Sequence, residues 1–266
     1  MYYRVLMLAC TLASFTTHAK ESFFEELSEY GQLDDDEMHN ERHGELFYGD
    51  TEFGFIVTSG NTDSLAVKLK ANIFQDFDKW RNQFKFDSLL KKDKNQDTGE
   101  TEKSAERYFA SAQGNYKLGE QEASFFIYSD FEKDKFSGFD YQTSLSSGYG
   151  NRLYSGEKNT LDFDIGPGVN YQVKEEDISE AGLLIRLALH WQRNISERTR
   201  FNQTLSSEKS LSGLNSRLKS ETSLISQINN DFSLKFSYLY RYNSTPEDDK
   251  LNFDGETSAT IVYNFQ

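Results

Sequence analysis

Ionisable residues recur at alternate positions of otherwise apolar stretches in this chain, and that spacing decides what chemistry they could do. The cations Lys68, Lys70, Lys85, Arg107, Arg186, Arg217, Lys219, Lys235 and Arg241 fall on the polar side of the alternation. The anions Asp76, Asp87, Asp162, Asp164, Glu221, Asp254 and Glu256 share it. A set of this kind has two uses when the polar sides line one interior. Rings of unpaired charge set the selectivity of a water-filled passage, whereas charges that pair with one another close it. The second use is favoured, because about twelve strands enclose only a modest interior that side chains can largely fill.

Other chemistry is thinly represented. Nucleophilic hydrolysis needs a histidine beside a hydroxyl or thiol. Beyond residue 19 only His39, His43 and His190 are present. His190 shares the polar side with Gln192 and reads as a hydrogen-bonding residue of the interior. Asp162 and Asp164 are spaced for paired acid and base work, but with cations on neighbouring stretches they read as counter-ions. The carboxylates of Glu21 to Glu45 suit calcium in type, yet lack the regular ligand spacing of a calcium loop. No catalytic, cofactor or metal residue is therefore assigned, and the chain is not read as an enzyme. A membrane-embedded hydrolase using His190 stands as the alternative, and a soluble periplasmic β-protein binding an apolar ligand as a third.

What must position these charges is visible in the last stretch of the chain. Leu251, Phe253, Gly255, Thr257, Ala259, Ile261, Tyr263 and Phe265 are apolar, aromatic or small, and mostly polar residues lie between them. A period of two describes a strand with one greasy face. The run is longer than the about 9 to 11 tilted residues that cross a bilayer as β-structure. Similar alternation recurs from Glu52 onward and is clearest between Leu161 and Val173, fading near Arg198–Ser206 and Ser216–Ile228. About twelve antiparallel strands result, an even number suited to an up-and-down transmembrane barrel. Turns are expected near residues 79, 119, 156, 195 and 230 on the periplasmic side. Loops near 97, 135, 177, 211 and 247 then face outward, with a short one at Gly60-Asn61. Aromatic residues such as Tyr108, Tyr116, Phe131, Trp191 and Tyr242 gather toward strand ends, as interfacial girdles do. Pro167, between Gly166 and Gly168, lacks a ladder donor and is expected to mark a bulge or kink.

The start of the chain supplies the address. Arg4, the apolar run Val5 to Phe15 and Thr17-His18-Ala19 have the order of a secretory signal, with cleavage expected after Ala19. Cys10 is the only cysteine, so export leaves none, and a closed hydrogen-bonded barrel would stabilise the chain without disulfides. The formal charge of -14 is concentrated early: residues 20–46 hold ten acids against Lys20 and Arg42. Residues 20–46 form a separate acidic segment, a candidate periplasmic cap or plug, and residues 47–266 form the barrel. So acidic a balance disfavours nucleic acid and anionic surfaces as partners.

Three features together resemble the YdiY-like, salt-induced outer-membrane protein family (DUF481): Thr58-Ser59-Gly60-Asn61-Thr62 after the first strand, Asp164-Ile165-Gly166-Pro167-Gly168-Val169, and the barrel-like last strand. The resemblance covers residues 48–266. It implies an outer-membrane barrel without catalytic residues to carry over, with outer-membrane lipid and the barrel-assembly machinery as partners, the latter through the last strand. Two departures are Gln266, one residue past the terminal aromatic, and Thr260, where assembly signals often place glycine; both predict less efficient insertion.

Overall fold

The structure is a computed structural model that describes residues 46–58, 64–94, 101–119, 123–134, 139–174, 178–246 and 251–265. Residues 1–45, with the expected signal and acidic segments, and Gln266 lie outside the described residues. Twelve strands are present among the described residues: β1 Leu46–Thr58, β2 Ser64–Asp76, β3 Trp80–Lys94, β4 Thr101–Lys117, β5 Ala123–Asp134, β6 Phe139–Gly156, β7 Asn159–Lys174, β8 Ser179–Ser196, β9 Thr199–Ser210, β10 Arg217–Gln227, β11 Phe232–Asn243 and β12 Phe253–Phe265. Each pairs antiparallel with its neighbours in chain order, and β12 returns to β1, which closes the barrel. The architecture is the all-β up-and-down barrel that the alternation predicts.

Side chains are distributed inside out relative to a soluble protein. Phe53, Phe125, Leu145, Leu183 and Phe236 are each more than half exposed, whereas Glu52, Arg107, Ser144 and Thr260 are at most 3% exposed. The greasy faces therefore point away from the interior. A soluble sandwich would bury those faces between its sheets, so they form no core here. Only a few apolar side chains turn inward, among them Phe126, Leu184, Leu239 and Val262, and they fill space between polar neighbours. Outward ring pairs gather at two levels. Trp80–Tyr116, Trp191–Phe201, Phe232–Tyr263 and Phe47–Phe265 lie toward one rim, and Phe131–Tyr141–Tyr171 and Tyr240–Phe253 toward the other. Rings at both edges of an apolar band are the girdles of a bilayer-spanning barrel.

Connections at the first rim span residues 77–79, 118–122, 157–158, 197–198 and 228–231, and this is the turn end. Gly119 there has φ 70°, a left-handed conformation that glycine adopts without strain. At the loop end the connections span 59–63, 95–100, 135–138, 175–178, 211–216 and 244–252.

Several boundaries differ from the alternation. β5 runs through Glu132 to Asp134, where a charged loop is expected, and β9 continues past Ser206 to Ser210. All strands but the 11-residue β10 are longer than the about 9 to 11 residues that a bilayer needs, up to 18 in β6 and β8. Beyond a bilayer the outward face no longer has to be apolar. At Pro167, where a bulge or kink is expected, the β6–β7 ladder skips Ser147, Gly148, Gly166 and Pro167, an interruption without a register shift. Ser146↔Gly168 and Tyr149↔Ile165 share one register, and the β7–β8 pairing is continuous through Pro167↔Ile185. Bulges lie elsewhere, for instance between Arg152 and Tyr154. The glycines serve close approach instead: a Cβ on Gly166 would stand 2.1 Å from the Ser147 carbonyl oxygen, and one on Gly148 2.2 Å from that of Ile165.

Candidate functional site

Strand parity decides which charges meet inside. On β1 and β2 the even positions face inward, on β3 and β4 the odd ones do, and the register carries this pattern around the wall. The lumen-facing set includes Lys68, Lys70, Lys85, Asp87, Asp162, Asp164, Arg186, His190, Arg217, Lys219, Glu221, Lys235, Arg241, Asp254 and Glu256.

Two ion-pair networks cross the lumen. In the first, Lys235 on β11 holds Glu52 on β1 at 2.6 Å and Glu221 on β10 at 2.9 Å. Lys70 on β2 reaches Glu221 at 2.8 Å and Asp87 on β3 at 3.5 Å. Asp87 accepts from Arg107 on β4 at 2.9 Å, and Arg107 meets Glu256 on β12 at 3.2 Å. Glu256 in turn pairs with Lys68 at 2.5 Å. Each contact between β2 and β10, or β4 and β12, spans four places around the twelve-strand order.

The second network centres on Arg217 of β10. Its guanidinium pairs with Glu208 on β9 and lies 3.0 Å from both carboxylate oxygens of Asp130 on β5. Arg186 on β8 also holds Glu208, at 2.9 Å, while its guanidinium carbon stands 3.4 Å from the centre of the Tyr128 ring. Ser144 donates its hydroxyl to Asp130 and Glu208, and Lys219 pairs with Glu132 at 2.7 Å. Closer to the loop end, Arg241 on β11 meets Asp134 on the opposite wall at 3.4 Å and Asp254 at 3.9 Å. The void among Tyr128, Asp130, Ser206, Glu208, Arg217 and Lys219 measures about 10 Å³, room for about one water molecule. Bare buried charge is costly; here the charges are paired with opposite charge, some on adjacent strands, as Arg186 with Glu208, and some across the lumen, as Lys70 with Glu221 and Arg217 with Asp130.

Residues 51–265 match the family described as a protein of unknown function, DUF481. The chain belongs to this family. The uncharacterized protein YdiY of Escherichia coli (strain K12) is 25% identical over 219 residues, covering 82% of this chain and 83% of that protein. Among solved structures, the translocator domain of the autotransporter NalP from Neisseria meningitidis is 10% identical, with 91% of this chain and 95% of that chain covered and a TM-score of 0.46. The NanC porin is 12% identical, with 82% and 99% covered and a TM-score of 0.48.

Within this DUF481 barrel the turn-end third of the lumen differs from the middle. Lys85, Asp162, Asp164 and His190 all retain solvent access. Arg152 pairs with Asp162 at 2.6 Å, and Gln113 donates to Asp164 at 3.0 Å. Lys85 and His190 stand five places apart on the wall and join neither network. His190 lies in register between Asp162 and Thr204. Among the described residues neither flanking side chain hydrogen-bonds to its ring, so the geometry contains no aligned nucleophile and base.

The acids Glu52, Asp130, Glu132 and Glu208 are absent from the charge set read from sequence, although they anchor both networks. Asp130 and Glu52 lie at inward positions of well-patterned strands and parity alone could have found them. Glu132 and Glu208 lie where the lipid-facing alternation has faded, so parity offered no signal there.

Proposed function

We propose that this protein is an outer-membrane barrel with a lumen sealed at rest, a structural component of the envelope in place of an open pore. The reading rests on one observation above others: Arg217 joins Asp130 and Glu208 across the lumen, with Arg186, Ser144 and Lys219 around them. A conducting lumen of this size would need unpaired charges and continuous water. The inverted distribution of side chains and the two aromatic girdles support the membrane placement. Lipid covers the outer face in this reading, and β12, ending on Phe265, is the strand that assembly machinery would take.

Two measurements test the reading. Envelope protein is washed with carbonate and run on gels heated and unheated; retention with faster unheated migration is expected, and a carbonate-soluble protein without a heat shift would sink the membrane placement. The purified barrel is then placed in a planar bilayer. No steady conductance is expected from the wild type, whereas stable ohmic steps would overturn the sealed lumen in favour of a water-filled channel.

A further inference from the structure

The barrel closes unevenly. β1 pairs with β2 along its whole length, Leu46 to Thr58, and β12 pairs with β11 from Phe253 to Tyr263. Between β1 and β12 the register covers Gly49–Phe53 against Phe265–Ile261 and stops there. Toward the loop end no register pair joins Gly54–Thr58 to Phe253–Thr260, although β12 still lies beside Gly54, where a Cβ would stand 3.6 Å from the Ala259 carbonyl oxygen. Unpaired backbone at membrane depth costs several kcal/mol per group, so something else must hold or fill this half of the seam.

A side-chain latch lies there. Lys68 is the register partner of Gly54, and its ammonium reaches past β1 to β12, donating to Ser258 at 2.9 Å and pairing with Glu256 at 2.5 Å. Gly54 leaves the path clear: a Cβ would stand 2.9 Å from Thr260 Cγ2 and 3.5 Å from Lys68 Cβ. Arg107 on β4 holds the same Glu256 carboxylate at 3.2 Å. The cations belong to β2 and β4, and the anion belongs to β12. Parting the seam therefore takes the carboxylate away and leaves two cations facing the gap. On the lipid side the same stretch of β12 carries only small residues after Phe253, namely Gly255, Thr257 and Ala259, beside the large exposed Phe236 and Tyr238 of β11. The Tyr238 ring leans over Gly255, where a Cβ would stand 2.9 Å from its hydroxyl, so the small residues left uncovered are Thr257 and Ala259, with Phe236 beside them.

We infer that the loop-end half of the β1/β12 seam is a lateral binding site for a membrane amphiphile with an anionic headgroup, whose acid replaces the Glu256 carboxylate between Lys68 and Arg107. The chain of the amphiphile lies along Thr257 and Ala259 beside Phe236, and its head enters the polar lumen. Charge complementarity sets the class: the site holds a carboxylate already, and two cations await any anion that displaces it. The inference rests on the barrel spanning a bilayer.

The test uses the full mature protein purified in non-ionic detergent. Native mass spectrometry is run with phosphatidylglycerol and, separately, phosphatidylcholine. Retention of the anionic lipid over the zwitterionic one is expected, and Glu256→Gln, which vacates the latch, raises it by about tenfold, the scale of a charge-assisted contact. The double variant K68Q/E256Q loses that gain. Hydrogen exchange on the unaltered protein gives a second reading that depends on no variant. Alternate amides of Phe253–Thr260 exchange faster than those of Ile261–Phe265, and phosphatidylglycerol, not phosphatidylcholine, slows them. Equal retention of both lipids, or uniform protection along β12, would overturn the site while the carbonate-resistant barrel still stands. Loss of carbonate resistance would instead remove the membrane reading beneath it.

Discussion

Arg217 on β10 and Asp130 on β5 stand five places apart around the wall, yet Nη2 lies 3.0 Å from both oxygens of the carboxylate. Contacts between neighbouring strands are inherent in any barrel; this one ties opposite walls. It also sets the order of effects on stability, because removing one member strands the others in a dry interior.

Arg217→Ala is expected to destabilise the barrel by about 3 to 5 kcal/mol, the usual cost of leaving buried charge uncompensated. Asp130 would then lose its cation and face Glu208, which keeps Arg186, beside Ser144. Adding Asp130→Asn to the variant should recover part of the loss. Urea titration of the unheated, fast-migrating band in detergent gives both numbers, and additive losses would contradict the shared network.

Lys70 and Lys85 offer a paired comparison on adjacent strands. Lys70 is held by Glu221 and Asp87, whereas Lys85 joins neither network and keeps solvent access. Lys70→Met should cost about 3 kcal/mol or more, and Lys85→Met about 1 kcal/mol or less, in the range of ordinary substitutions that break no network. The same urea titration decides it. Equal losses would mean that Lys85 has a role in closing the lumen.

The lumen set illustrates how far alternation can be read. Once one face of β2, β3, β10 and β12 is recognised as greasy, the opposite face is fixed by parity, and Lys70, Asp87, Glu221 and Glu256 follow. Partner choice does not follow, because Lys70 meets Glu221 across four places of a closed wall. That contact depends on barrel closure and strand tilt, which no local pattern encodes. Glu132 and Glu208 were harder still, since beyond the apolar band β5 and β9 continue without a lipid-facing pattern to reveal them. Pro167 was legible in part: the β6–β7 ladder is interrupted beside it, but its neighbouring glycines let the strands approach closely and the register stays intact.

Salt should matter little to the sealed lumen. The Debye length shrinks to about 10 Å at 0.1 M salt, but buried pairs are screened far less than exposed ones. Arg186 and Glu208 are each 6% exposed, in contrast to the 50% of Lys103 in its pair with Glu106. The unfolding midpoint in detergent is expected to move by about 2 °C or less between low and moderate salt, equivalent to a few tenths of a kcal/mol. A large drop would show that water and ions reach the networks.

The C-terminal aromatic and the first strand should matter together in assembly. Phe265 packs against Gly49 so closely that a Cβ on Gly49 would stand 2.7 Å from its ring and 2.3 Å from the Asn72 carbonyl oxygen. Gly49 and Phe265 are also register partners in the short paired half of the seam. A glycine beneath a cross-strand aromatic lets the ring cover backbone that would otherwise meet lipid. Gly49→Val should therefore lower the fraction of heat-modifiable protein after refolding severalfold. Gly119→Ala, in an open turn at φ 70°, should cost only about 1 kcal/mol and leave the refolded fraction nearly unchanged. If Gly49→Val refolds as well as Gly119→Ala, the five-pair ladder is not what closes the barrel, and the Lys68 latch to Glu256 and Ser258 must carry the closure by itself.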